Sequence, residues 1–268
     1  MAVKKTKKLS GQTTVTTINS TDKFPITDAN GKVTLVSLAT LKASILDGMS
    51  LNGMYDGIFI MYHRKSDNFP LMVKPHKWTS LQSSGEIADG VVVVEGGKVL
   101  VVAPTEATST LNWSSAAVSG GGTTTTDRVT AMNDWNGKAN TASQISKSTS
   151  SAVTNTASYA PGFCNLYSRA NANGYGLTAG KWWLPSLGEM MMIYANMTKI
   201  NYALSLISGA TQLQETAYWT STEYGATPAW SLNLRTGHAT SNSKASNTNR
   251  VRAVSALLTE IETLYNNI

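Results

Sequence analysis

Cysteine is almost missing from this chain: Cys164 stands alone in 268 residues. No intrachain disulfide can therefore brace the fold, and stability must come from core burial, from partner chains, or from both. No Cys-His signature surrounds Cys164, so it reads as a small buried hydrophobe and not as a nucleophile. Charge is sparse as well, with Asp, Glu, Lys and Arg making up 14% of residues. A surface with so few ionised groups has to be covered by neutral polar side chains, as in extracellular β-rich and virion proteins. The three histidines, His63, His76 and His238, are far apart in sequence. There is no Gly-x-Ser-x-Gly elbow, no P-loop and no Rossmann fingerprint, so nucleophilic, metal-dependent and nucleotide chemistry all lack their usual residue sets. A glycosidase would need two facing carboxylates, and spacing alone does not pair any of the sixteen acids. A protein without catalytic residues, metal or cofactor is the expectation. No apolar stretch approaches the roughly 20 residues of a membrane span. The Ser/Thr-rich run at 9–20 does not offer the apolar core of an export signal, so an exported protein is not expected.

What is present is Ser, Thr, Asn, Gly and Ala in abundance, with seven Trp and ten Tyr. Those amphipathic rings suit half-exposed positions and contact surfaces. Much of the net charge of +6 comes from Lys4, Lys5, Lys7 and Lys8. Residues 1–22 read as an extended basic arm suited to an acidic partner surface. A small module follows at 23–48: Phe24-Pro25-Ile26-Thr27-Asp28 leads to an Asn30-Gly31 turn, then a short strand at 32–35. Leu38, Leu41 and Ile45 at helical spacing predict a helix over 37–46, with Ser37 as its N-cap. The stretch from that strand through the helix resembles the anchoring segments of phage head and tail fibre proteins.

Residues 49–89 read as a β-rich connection containing a strand at 57–62. Two valine runs, 91–94 and 99–102, flank Glu95-Gly96-Gly97-Lys98 and predict a tight hairpin buried on both faces. Residues 104–128, with Gly120-Gly121-Gly122 followed by four threonines, read as a mobile surface loop. Ser186-Leu187-Gly188-Glu189 is a capping box that predicts a helix over 187–197, and a second helix is expected over 200–207. Strands are expected at 217–221, 229–234 and 250–254. In the middle one, Trp230, Leu232 and Leu234 alternate with Ser231, Asn233 and Arg235, which predicts one buried and one exposed face. The C-terminal 257–268 has the spacing of an amphipathic helix.

Several of these segments form an ordered series: the hairpin at 90–102, Asp134-Trp135-Asn136-Gly137-Lys138, Trp182-Trp183-Leu184-Pro185-Ser186, Ile200-Asn201-Tyr202-Ala203-Leu204, Tyr218-Trp219-Thr220-Ser221-Thr222-Glu223-Tyr224, Ala229-Trp230 and Arg250-Val251-Arg252-Ala253-Val254. The series resembles the C-type-lectin-like domains of the Lcl adhesin C-terminal family, of Bacteroidetes surface proteins and of phage tropism determinants. The resemblance spans 90–256 and implies an α+β chain in which an anchoring arm and small module precede a lectin-like display domain. It implies a phage head or tail fibre subunit, commonly a homotrimer, held to other virion proteins by its N-terminus and facing a host-surface glycan or protein. It also implies a display surface on the late loops and strand faces: Tyr224, Ser231, Asn233, Arg235, His238 and Asn242. Calcium-dependent lectins carry Glu-Pro-Asn or Gln-Pro-Asp with Trp-Asn-Asp; none occurs here, so no calcium site is expected, and Asp134-Trp135-Asn136-Gly137 reads as a turn. A bacterial surface adhesin and, further off, a polysaccharide depolymerase are the alternatives. No membrane insertion and no nucleic-acid role are expected.

Overall fold

In the computed structural model the described residues are 23–27, 31–37, 56–147 and 155–256. The chain divides into two compact units, residues 1–53 with 264–268, and residues 54–263. In the first unit β1 (Lys23–Thr27) and β2 (Val33–Ser37) pair antiparallel, Phe24 opposite Val36 and Thr27 opposite Val33. The strand expected at 32–35 therefore extends to Ser37, which closes β2. The predicted helix beyond it, the arm with Lys4, Lys5, Lys7 and Lys8, and the C-terminal helix at 257–268 lie outside the described residues.

The second unit combines helices and antiparallel sheets, an α+β fold. Its elements run β3 (Gly57–His63), β4 (Pro70–Val73), α1 (Trp78–Ser83), β5 (Ala88–Glu95), β6 (Lys98–Val102), α2 (Arg128–Met132), α3 (Gly137–Ser146) and α4 (Ala160–Leu166). Then follow β7 (Arg169–Ala170), β8 (Gly176–Leu177), α5 (Leu187–Ala195), α6 (Met197–Ser205), β9 (Ala217–Glu223), β10 (Pro228–Asn233), β11 (Ala239–Ser243) and β12 (Val254–Ser255). One sheet has the order β12-β6-β5-β3-β4 and another the order β11-β10-β9.

The β5–β6 hairpin takes the register read from sequence, Val91 opposite Val102 and Glu95 opposite Lys98. Its two turn residues, Gly96 and Gly97, have φ of +55° and +73°. Two successive positive φ values twist the turn in the sense that matches paired strands, and glycine adopts them without a Cβ clash. Side chains alternate across a strand, so the valines divide: Val91 and Val93 enter one core with Ile60, Leu187, Ile193 and Trp230, while Val92 and Val94 enter another with Met61, Trp113, Trp182 and Trp219. Both faces of β5 are buried. Cys164 in α4 has no exposed surface and belongs to the second core, and burial pushes its thiol well above the usual range.

α5 begins as its capping box demands. The Ser186 hydroxyl accepts the Glu189 N–H, and the Glu189 carboxylate accepts the Ser186 N–H at 2.8 Å. The helix stops at Ala195, two residues before the predicted end, because Asn196 departs from helical ψ and α6 starts at once. The predicted 250–254 strand is reduced to Val254–Ser255. Upstream of it single backbone bonds reach different neighbours, Ala103 to Ala253 and Ala107 to Val251.

Residues 104–128 depart from the expectation of a mobile loop that builds no core. Trp113 and Ser114 have no exposed surface, and the Trp113 indole N–H donates to the Thr220 carbonyl at 2.9 Å. The segment pairs Thr124 with Glu223 at the end of β9 and Leu111 with Asn249 beyond β11. Small, neutral residues permit this close approach: a Cβ on Gly120 would stand 2.6 Å from the Trp113 ring and 2.8 Å from Gln144.

Candidate functional site

The end of β9 is anchored by a buried ion pair. Glu223 and Lys244 both have fully buried side chains, and the Lys244 ammonium bonds to the Glu223 carboxylate. Two charges out of water require further partners. Lys244 also donates to the carbonyls of Val118, Gly225 and Ala226 at 3.0, 2.9 and 3.0 Å, and lies 4.7 Å from the Trp113 ring centroid. Glu223 accepts the N–H groups of Gly120 and Gly122 at 2.7 and 2.9 Å. Desolvation lowers the Lys244 pKa against the opposing pull of Glu223. The clasp joins the glycine-rich segment, the turn after β9 and the chain beyond β11, and it fixes the residue that follows Glu223.

That residue is Tyr224. Its N–H and that of Gly225 both donate to the Pro228 carbonyl at 3.1 Å. Its ring packs on Trp230, with centroids 5.0 Å apart and planes inclined by 60°. The Trp230 indole N–H donates to the Thr125 carbonyl at 2.9 Å, which draws the 124–128 segment alongside the hairpin. Between the two lies an open groove of about 580 Å³, lined by Tyr224, Trp230, Ala239, Thr240 and Ser241 on one side and by Thr126 and Arg128 on the other. Arg128 is exposed, and among the described residues it forms no ion pair. Its neighbour Asp127 caps α2, accepting the Thr130 N–H at 2.7 Å. An aromatic ring, a cation and polar residues share one open concavity, a combination that matches the chemistry of a polar ligand with an apolar face.

Of the display residues expected from sequence, Tyr224 alone lines the groove. Arg235 and His238 are exposed on the turn between β10 and β11, beyond the groove. The Asn233 side chain accepts the Arg235 N–H at 2.9 Å and so shapes that turn. Ser231 corrects the expectation of an exposed strand face, because it has no exposed surface. Its hydroxyl contacts Thr240 Oγ1 at 3.2 Å and accepts from half-buried Asn242 at 3.1 Å. The reason is a second cover: Trp219 and Ala229 on that side of the sheet pack into the Trp113 core, so β9 and β10 are buried on both faces. Arg128 and Thr126 escaped sequence reading because their approach depends on the pairing of 124–125 with β9, a contact about a hundred residues long in sequence. A faint signal existed in Arg128, an exposed cation just after a twenty-residue stretch, 107–126, with no charged residue.

Buried ionisable groups elsewhere are absorbed by the fold. Asp134 accepts from Asn140 Nδ2 at 2.9 Å, Thr222 Oγ1 at 2.7 Å and the Asn136 N–H at 3.0 Å, tying the turn between α2 and α3 to β9. His63 Nδ1 meets Asp89 at 2.6 Å, both nearly fully buried. The Glu106 carboxylate binds Arg250, Arg252 and the Tyr218 hydroxyl. Among the described residues no group of three or more His, Cys, Asp or Glu gathers as metal ligands, and no described helix is long and apolar enough to cross a membrane.

No protein-family model and no curated protein matches the chain. Among solved structures it is similar to a fimbrial protein from Bacteroides ovatus, at 16% identity and a TM-score of 0.32 over 59% of this chain. The match spans 35% of that protein's length.

Proposed function

We propose that the protein is a phage virion subunit, of a head or tail fibre, whose C-type-lectin-like domain attaches the particle to a host-surface glycan or protein. The groove carries this reading. Tyr224 and Arg128, with the buried Trp230 packed against the Tyr224 ring, line an open groove on a sheet whose neighbouring buried charges, Glu223 and Lys244, are consumed in bracing it. A binding site of this kind needs a rigid scaffold and few exposed functional groups, and the molecule supplies both. The ordered motif series over 90–256 supports the lectin-like assignment. The lysine-rich arm supports anchoring to acidic surfaces of other virion proteins, with the subunit assembled as a homotrimer. In this reading the protein performs no catalysis; the particle gains adhesion from it.

Mass spectrometry of purified particles tests the location, with the protein expected among the structural components. Absence from particles, with recovery from a bacterial envelope, would replace the virion subunit by a surface adhesin.

A further inference from the structure

We infer that the groove takes an acidic saccharide, a sugar bearing a carboxylate, with Arg128 as its anion partner. This rests on reading the groove as the attachment site and goes on to name the chemistry of what it holds. Arg128 is the charged residue among those lining the groove. Residues 107–126 contain no ionised side chain, and of the cations at 224–256 Lys244 is held by Glu223, Arg250 and Arg252 are held by Glu106, and Arg235 lies beyond the groove. Glu223 is buried against Lys244 and the Gly120 and Gly122 N–H groups, and the exposed Asp127 next to Arg128 in sequence caps α2 and forms no ion pair with it. The Arg128 guanidinium is thus the exposed charge lining the groove, with no acidic partner among the described residues. A guanidinium presents a planar fork that matches a carboxylate. The half-buried Tyr224 ring offers an apolar surface to the C–H face of a pyranose, and the polar residues Thr126, Thr240 and Ser241 line the same space, Thr240 with its hydroxyl also in contact with Ser231. A neutral sugar would leave the cation unused.

The test is binding of the full chain to oligomers of galacturonate and of N-acetylneuraminate, each beside its methyl ester, which keeps the ring and removes the charge. At least one acid is expected to bind about tenfold or more tightly than its ester, the scale of a hydrogen bond to a charged group. The preference should vanish in Arg128→Gln, persist in Arg235→Gln, and shrink as salt rises. Equal binding of acid and ester, binding of neither, or equal loss in the two arginine variants would each overturn the acidic-saccharide assignment. Loss of host-cell adsorption in Tyr224→Ala would still uphold the groove as the attachment site in those cases, whereas unchanged adsorption would remove the groove itself.

Discussion

Lys244 is a long cation with no exposed surface, a placement that water would oppose by several kcal/mol without compensation. Its carboxylate and carbonyl partners and the Trp113 ring supply that compensation, so the pair is worth more for what its removal leaves behind than for its own net energy. Lys244→Met should cost about 3–5 kcal/mol in urea unfolding, because Glu223 is then buried without a cation. Adding Glu223→Gln should recover part of the loss, and a double variant as unstable as the single one would contradict this account. Glu189 behaves differently. Burial pushes its pKa from 4.5 up to about 7, against the N–H bonds from Ser186 and Trp183. Between those values the folded protein keeps a proton that the unfolded chain has released. Stability from this group is therefore full below pH 4.5, falls as pH rises to about 7, and is level above it. The fall is at most about 3 kcal/mol, at 1.36 kcal/mol per pH unit. Unfolding midpoints of wild type minus Glu189→Gln should show that slope, and a flat difference between pH 4.5 and 8 would exclude it.

At the scale of elements, the glycine-rich segment at 119–122 is structural cover. Gly120→Ala would drive a methyl group into Trp113, Gln144 and Glu223, and should destabilise the protein by about 1–3 kcal/mol, as overpacking does. Near-neutral melting would show that the segment yields. This element also marks where the sequence could be read and where it could not. The β5–β6 hairpin, the capping box and the aromatic strands were legible because each rests on local rules: paired glycines in a two-residue turn, Ser and Glu three apart, and apolar residues at a strand period. The Ser/Gly/Thr run carries the same composition as a solvated loop, and its burial depends on Glu223 and Lys244, which lie about a hundred residues away in sequence. Ser231 misled for the same reason. Its alternation with Trp230 and Leu232 was read as polar-outward, yet a serine hydrogen-bonded to Asn242 and Thr240 is as compatible with burial as with water. Tyr224, which the resemblance puts on the display surface, lines the groove together with Arg128, which nothing local in the sequence marks.

For the whole molecule, the chain divides into residues 1–53 with 264–268 and the unit at 54–263, and the proposed function assigns particle anchoring to the first and display to the second. Deleting residues 1–22 should strip the protein from particles and leave the thermal melt of the second unit unchanged. Particles that retain the shortened protein would contradict anchoring by the arm. The central claim is that the groove beside Tyr224 attaches the virion to its host. The most direct measurement is the rate at which particles adsorb to the cells they infect, with purified soluble chain added as competitor. Wild-type chain should slow adsorption in proportion to its concentration, while Tyr224→Ala, folded to the same melting temperature, should not. Equal competition by the two proteins, or none by either, would contradict it.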